Sequence, residues 1–495
     1  MLKDQYQETL SFHAELYNLI PEDHLLKKID KVVDFSFIYD LTKESYCMYY
    51  GRPATEPELL LRILLIQTLY DLSDDQVIQD ANLHLAYKWF LRLNPESSLP
   101  HPTQLSRFRN HRLGANRVEE VLEELVKQCQ EKGIIQSKAL ILDSTHAQAN
   151  ASKRSPLQVL TKAASRLSRA VKKQHTKLHK KLPKAPKLND IPEEEQAKEM
   201  LRYLAHLGEQ IEQALPDAEG AIKDKLETAK RIVEDERLLS KKGILSAVDP
   251  DARFGWKSTT KSFYGYKNHL AMTEEEIITG VQVTPGNVDD GKQLKELVNQ
   301  SKAGGMEVNE ILADTAYSSK HNLSYLQQNL ITASIPLNPS VYGAREEDNF
   351  QYDKERDQVI CPAGHHSIRK ARTGKKDTGT NQMNTFYFDV DICKECPLKE
   401  GCYKEGKKSK TYSIRIISEE HQQQMKYLDS EEYQERKKVR PSIEHKNAEL
   451  KRFHGLTRAK YRGLLGMKIQ TYLSVFAVNI KRMTKLLPQN ELGNV

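Results

Sequence analysis

Residues 138–150 read "KALILDSTHAQAN", and the fold class turns on how this stretch ends. A short apolar run from Ala139 to Leu142 stops at Asp143, which reads as a buried strand with a carboxylate at its C-terminal end. "VNEILADTAYSS" (308–319) repeats the pattern with Asp314, and "LITASIPLNPS" (330–340) is a further strand. Between them, "SFYGYKNHLAMTEEEIITGVQVTPGN" (262–287) has alternating β-rich flanks around an acidic turn, the signature of a hairpin. "LKELVNQSKAGG" supplies a helix and its exit. Strand, hairpin, helix, strand and strand predict a mixed α/β sheet, in which parallel neighbours would bring Asp143 and Asp314 together.

Outward from this core, a chain of 495 residues is too long for one ordinary hydrophobic core. A composition of 38% hydrophobic and 29% charged residues fits a soluble globular protein. "MLKDQYQETLSFHAEL" lacks the apolar core of a signal peptide, and "ELLLRILLIQTLYDL" is interrupted by Arg62 and too short to span a bilayer. A cytoplasmic protein without a membrane partner is expected. Residues 55–135 look helical, with "SDDQ" (73–76) as a capping box. "TQLSRFRNHRL" presents Arg107, Arg109 and Arg112 on a short helix. Short helices ending in a basic one suit a DNA-reading module, and equally an all-α packing domain with a solvated basic face.

The net charge of +7 is modest, so its distribution says more. From Ala151 to Asn189 there are twelve Lys or Arg and no acid. Residues 155–240 read as a three-helix insertion whose first helix is a solvated face or a track for a phosphate backbone. Residues 345–430 are polar and hold four of the six cysteines. Cys361, Cys393, Cys396 and Cys402, with His365 or His366 as substitutes, predict a closed structural Zn²⁺ site, with iron–sulfur ligation as the alternative. Cys47 and Cys129 are expected in the core. "GNVDDGKQ" (286–293) falls short of a phosphate-binding loop, because Gln293 replaces its hydroxyl and Asp289 and Asp290 would face the phosphates; a turn is the better reading.

A helical region is expected from about Ser430 to Leu487. Within it, "RPSIEHKNAELK" (440–451) places Arg440, Glu444 and Lys451 on one helix face. Asp143, Asp314 and Glu444 would repel if left unneutralised, at about 4 kcal/mol per pair at ~4 Å and an effective dielectric of ~20. Two divalent cations, Mg²⁺ or Mn²⁺, would neutralise such a trio and suit in-line phosphoryl transfer. Asp249, Asp251, Asp289 and Asp290 have similar local claims.

"ILDSTHAQA", "FYGYKNHLAM…VTPGNVDD", "ILADTAYSS" and "RPSIEHKNAELKRFHGLTRAKYRGL" together resemble bacterial insertion-sequence transposases of the DDE type. The resemblance implies a ribonuclease-H-like catalytic core with its metal-binding acids at Asp143, Asp314 and Glu444. The family signature Tyr-x2-Arg-x3-Glu-x6-Lys matches at Arg440, Glu444 and Lys451, but Lys437 stands at the tyrosine position and Tyr433 is the nearest tyrosine. It further implies a helical N-terminal DNA-binding domain (1–135), a core (136–345) carrying the basic helical insertion (155–240), a Cys-rich insertion (346–430) and a C-terminal helical part (431–495). Cleavage at element ends and strand transfer are the implied reactions, on terminal inverted repeats and target DNA held by a homodimer, nucleoid-associated when bound. Arg440, Lys451, Arg107, Arg109, Arg112, Arg458, Lys460 and Arg462 are the expected DNA contacts. A non-cleaving DNA-binding relative and a simple nuclease on the same fold are the alternatives. An intact trio of acids argues against the first, and a strand-transfer assay separates the second.

Overall fold

The computed structural model of the chain describes residues 11–47, 51–257, 260–339, 349–353, 355–373, 382–415 and 418–487. Its centre is a mixed sheet of β1 (Ala139–Gln148), β2 (Arg253–Trp256), β3 (Ser262–Met272), β4 (Ile278–Pro285), β5 (Glu310–Leu312) and β6 (Thr332–Ser334). β3 runs antiparallel to β1 on one side, and on the other to β2 with its first half and β4 with its second. β5 is parallel to β1, and β6 to β5. The predicted hairpin is therefore β3–β4, and the parallel half is β1, β5 and β6, with the apolar runs of β1 and β5 at the centre of the sheet. Leu140 and Leu142 point to the layer built from Leu294, Leu297 and Leu326, while Ile141 points to the opposite layer. A strand covered on both faces has to be apolar throughout, which is why these runs do not alternate.

The opposite layer is the long Gly463–Leu486 helix, which packs on β4 and on the N-terminal helices Pro57–Leu69 and Gly114–Glu131. One continuous core runs from Tyr17 through Ile141 to Met483, so the boundary expected at 135 is not a gap in packing. Arg62, which interrupts the apolar run, lies inside this core at 1% exposed. Its guanidinium donates to Glu58 (2.9 Å), Asp30 (2.5 Å) and the Phe90 carbonyl (3.0 Å), and that pairing offsets the cost of burying the charge. The capping box forms as read, between Ser73 and Gln76 at the start of Asp74–Leu83.

The basic insertion has its own core. Leu160 and Leu167 of Pro156–Gln174 meet Leu204 and Leu207 of Glu193–Ala214 and Ile232 of Gly220–Val233. The Cys-bearing segment is a separate small module. It comprises the hairpin β7 (Gln351–Asp353)–β8 (Gln358–Ile360) and a sheet of β9 (Arg369–Thr373), β10 (Met383–Phe388) and β11 (Lys410–Arg415), around Val359, Phe386 and Phe388. The helix Glu419–Leu428, expected within that insert, returns to the main sheet, where Gln424 Nε2 donates to the carbonyls of Ala333 (2.7 Å) and Ile335 (2.9 Å).

The C-terminal helical region is broken. It comprises Glu431–Arg436, Ser442–Phe453 and Gly463–Leu486. Pro441 caps the middle one, where its missing N–H costs nothing. Arg440 is therefore in the turn before the helix, not on the same helix as Glu444 and Lys451.

Candidate active site

The parallel pairing of β1 with β5 ends at Ile141 opposite Leu312. Asp143 and Asp314 each lie two positions beyond that last pair, so the register carries both carboxylates to the same level at the edge of the paired region. Asp143 does not end its own strand, however. β1 continues through the polar residues to Gln148, paired with β3 as far as Gly265. A Cβ at Gly265 would lie 2.0 Å from the Ala147 carbonyl oxygen, so only glycine lets the two backbones approach there. Asp314 turns out of β5 and caps the following turn, accepting from the Ala316 N–H at 2.9 Å.

The third element is Ser442–Phe453, docked onto β1 by a residue that the sequence reading missed. Asn447 Nδ2 donates to Asp143 Oδ2 at 2.9 Å. Asn447 is three positions after Glu444, hence its neighbour on the helix surface, and that spacing is the one signal in the sequence that points to it. Glu444 is more open, its side chain 60% exposed, with Arg440 Nη1 at 3.9 Å. Burial raises the Asp143 carboxyl to about 6; a backbone bond from Ser144 and the charge of Arg440 oppose the rise, and the charges of Asp314 and Glu444 add to it. Burial raises Asp314 too, again with Arg440 opposing. Arg440 thus acts on both aspartates while its own Nε is buried without a partner. On the same helix, Lys451 Nζ lies 3.4 Å from His146 Nδ1 of β1. Burial, then the charges of Lys451 and Lys257, bring the His146 imidazole down to about 4, so at neutral pH it is uncharged beside the ammonium.

Behind the acids stands a network that also escaped the sequence reading. Asp290, in the turn after β4, accepts from Ser144 Oγ (2.9 Å) and Lys267 Nζ (2.7 Å). It also lies 3.6 Å from the buried His269 Nδ1. Tyr317 is 1% exposed and its hydroxyl has no partner, although the charges of Asp290, Asp143 and Asp314 all reach it. Of the other competing acids, Asp249 is fully buried and accepts from Tyr266 (2.5 Å), and Asp251 pairs with Arg231 (2.5 Å). Both are structural. Tyr433 lies apart on Glu431–Arg436 with its ring 5.9 Å from that of Tyr427.

The expected DNA contacts divide. Arg107, Arg458 and Arg462 are exposed. Arg109 is 3% exposed and bonds Asp74 through both terminal nitrogens (2.9 and 2.5 Å), because it sits on the inward side of its turn. Arg112 donates to the Ser45 carbonyl and stacks on Tyr46 at 4.4 Å, and Lys460 is held by Asp71 at 2.5 Å. Arg109 is thus a packing residue rather than a surface contact.

Cys361, Cys393, Cys396 and Cys402 line one small cavity together with His365 and His366. Cys129 is buried as expected, whereas Cys47 is exposed. Among the described residues, no group of three or more His, Cys, Asp or Glu side chains is close enough to hold a metal ion, at the thiols or at the carboxylates. The donor chemistry nevertheless fits. Four thiols around one cavity suit zinc, and carboxylate oxygens including a buried one suit magnesium or manganese.

Three segments match known families. Residues 14–111 match one described as "Transposase domain (DUF772)". Residues 247–338 and 360–484 match two described as "Transposase DDE domain". The chain belongs to the DDE transposases of insertion sequences. No curated protein matches it. The substrate of this transposase is DNA, and the family generally uses divalent metal ions. Asp314 lies in one matched segment and Glu444 in the other, whereas β1 falls outside all three; the place of Asp143 rests on the sheet register. No helix among the described residues is long and apolar enough to cross a membrane.

Proposed function

We propose that this DDE transposase cleaves its element ends and joins them to new DNA with Asp143, Asp314 and Glu444 as the catalytic acids on a ribonuclease-H-like core. The observation that carries the reading is the shared level of Asp143 and Asp314 beyond the last β1–β5 pair, with the Glu444 helix tied to Asp143 through Asn447. The antiparallel part, β1 to β4, continued by parallel β5 and β6 supports the fold assignment. The three acids would hold the divalent ions. Those ions, when bound, offset the acids' mutual repulsion and stabilise the attacking and leaving oxygens of an in-line displacement. Arg440 balances the charge of both aspartates, and Lys451, steered by the neutral His146, is placed to hold a phosphate oxygen. Hydrolysis at each end would free a 3′-hydroxyl, and that hydroxyl would attack a phosphodiester in the target or the opposite strand. The chain's own contribution is positioning and charge compensation. The four cysteines would bind a structural zinc ion, and a dimer would hold the two ends.

The deciding experiment is strand cleavage and transfer on a duplex carrying the element's own end, with Mg²⁺, comparing wild type with Glu444→Gln. Cleavage and joining that the variant loses, while still binding the duplex, are expected. Equal cleavage by both proteins would remove Glu444 from the site. Cleavage without joining would make the protein a nuclease.

A further inference from the structure

A second basic region lies further along β1. Where that strand leaves the sheet, a cavity of about 300 Å³ is lined by Asn150, Ser152, Arg154, Lys162, Arg458 and Arg462, with no acid among its lining residues. Four separate parts of the chain meet there: the exit of β1, the first helix of the basic insertion, the segment 246–248 that follows the insertion, and the loop between the last two helices. Two backbone bonds and one from the Arg462 side chain hold the β1 exit against that loop. Gln148 N–H donates to the Thr457 carbonyl (3.0 Å), Ala459 N–H to the Gln148 carbonyl (2.7 Å), and Arg462 Nε to the Asn150 carbonyl (3.2 Å).

The cations there lack compensation. Arg166, on the same helix as Lys162, has its Nε buried without a partner. Its guanidinium is pushed below its usual range by burial and by the charges of Arg462 and Arg169. Asp251, beside Gly463, is already bound by Arg231 and by the Leu464 N–H (2.8 Å). Folding has brought like charges together around a concavity that no lining carboxylate neutralises. Such an arrangement is stable once an anion occupies it.

We infer that Arg154, Lys162, Arg458 and Arg462, with the charge of Arg166 behind them, form a pocket for a backbone phosphate of the bound DNA end. The inference rests on the proposed end-processing function for the identity of the anion. It also carries a distance. Asn150 follows Asp143 by seven positions, at most about 23 Å of extended chain. Along a duplex that corresponds to no more than about seven base pairs from the scissile phosphate. The pocket thereby links the basic insertion to the catalytic core through the substrate.

The test uses full-length protein in a Glu444→Gln background and end duplexes that each carry one neutral methylphosphonate, scanned along both strands. The expected result is one or two adjacent positions within about seven base pairs of the cleavage site where neutralisation weakens binding about tenfold. The variant Arg154→Gln/Arg458→Gln should lose that sensitivity and show a salt slope shallower by about one. Without DNA, sulfate should raise the melting temperature above that in chloride at equal ionic strength, and less so for the variant. In chloride the variant should melt no lower than its parent, because it removes repulsion rather than packing. A variant that keeps the sensitive position and the slope overturns the inference. Sulfate stabilisation with no duplex binding overturns the assignment to DNA. A mapped phosphate alongside wild-type protein that never cleaves leaves the pocket standing and removes the catalytic reading instead.

Discussion

Asp143 is the residue on which the site balances, because burial holds its proton more tightly in the folded chain than in the unfolded one. With a folded value of about 6 against an ordinary 3.8, the native state binds the extra proton between those limits. Without metal, stability therefore falls as pH rises from about 4 to 6 and levels off above, by about 1–3 kcal/mol. Asp143→Asn should flatten that slope in melting curves taken across pH, raise the melting temperature at pH 7, and abolish the added stabilisation by Mg²⁺. Metal binding needs the ionised carboxylate, so the Mg²⁺ concentration that gives half-maximal cleavage should rise as pH falls below about 6. Asn447 donates to the charged form, and removing that bond favours the neutral one. Asn447→Ala should therefore move the acid limb of the pH–rate profile upward and reduce cleavage at pH 7 about tenfold, with roughly 1 kcal/mol lost from the fold. An unchanged profile would mean that the Asn447–Asp143 bond is absent in solution.

At the scale of elements, the helix that carries Glu444 is anchored from its far side. Glu449 is bonded by Lys446 (2.9 Å) and Lys481 (3.0 Å), the latter from the long C-terminal helix. Burial pushes the Glu449 carboxyl up, but these bonds and charges outweigh it and bring it down to about 2. A depressed carboxyl contributes stability that is complete above its unfolded value and lost as pH falls from about 4.5 toward 2. Glu449→Gln should cost about 1–3 kcal/mol at pH 7 in denaturant titrations and remove that part of the acid sensitivity. What could be read of these elements from sequence follows the same physics. The runs of β1 and β5 were legible because burial on both faces leaves an unbroken apolar stretch. The second half of β1 was not, because Ser144, Thr145, His146 and Gln148 are polar and are held by pairing with β3 and by the close approach at Gly265. Helical spacing suggested one face for Arg440, Glu444 and Lys451, yet Pro441 starts the helix between the first two. Arg109 looked like a surface cation because its partner, Asp74, lies far back in sequence. The Asp290–Lys267–Ser144 network likewise joins three distant segments, and no local pattern marks it.

On the scale of the whole molecule, the packing is divided unequally, and that division decides what losing a metal would do. The N-terminal helices, one face of the sheet and the C-terminal helix share one core, and the basic insertion has its own. The Cys-bearing module relies on Val359, Phe386 and Phe388, with Cys361 and Cys393 packed against them. A core that small supplies little of the stabilisation an independent fold needs, so a structural metal would do most of the remaining work. If the four thiols hold zinc, a strong zinc chelator should release about one equivalent per chain. Amide exchange should then rise in β9, β10 and β11, while β1 and β3, buried in the main core, keep their protection. Cys393→Ser/Cys396→Ser should reproduce that pattern without chelator. Protein purified without reducing agents but free of zinc, with unchanged exchange in the module, would show that the aromatic cluster holds the segment by itself. Exchange spreading into β1 would instead couple the module to the catalytic acids, through the helix Glu419–Leu428 that covers the edge of β6.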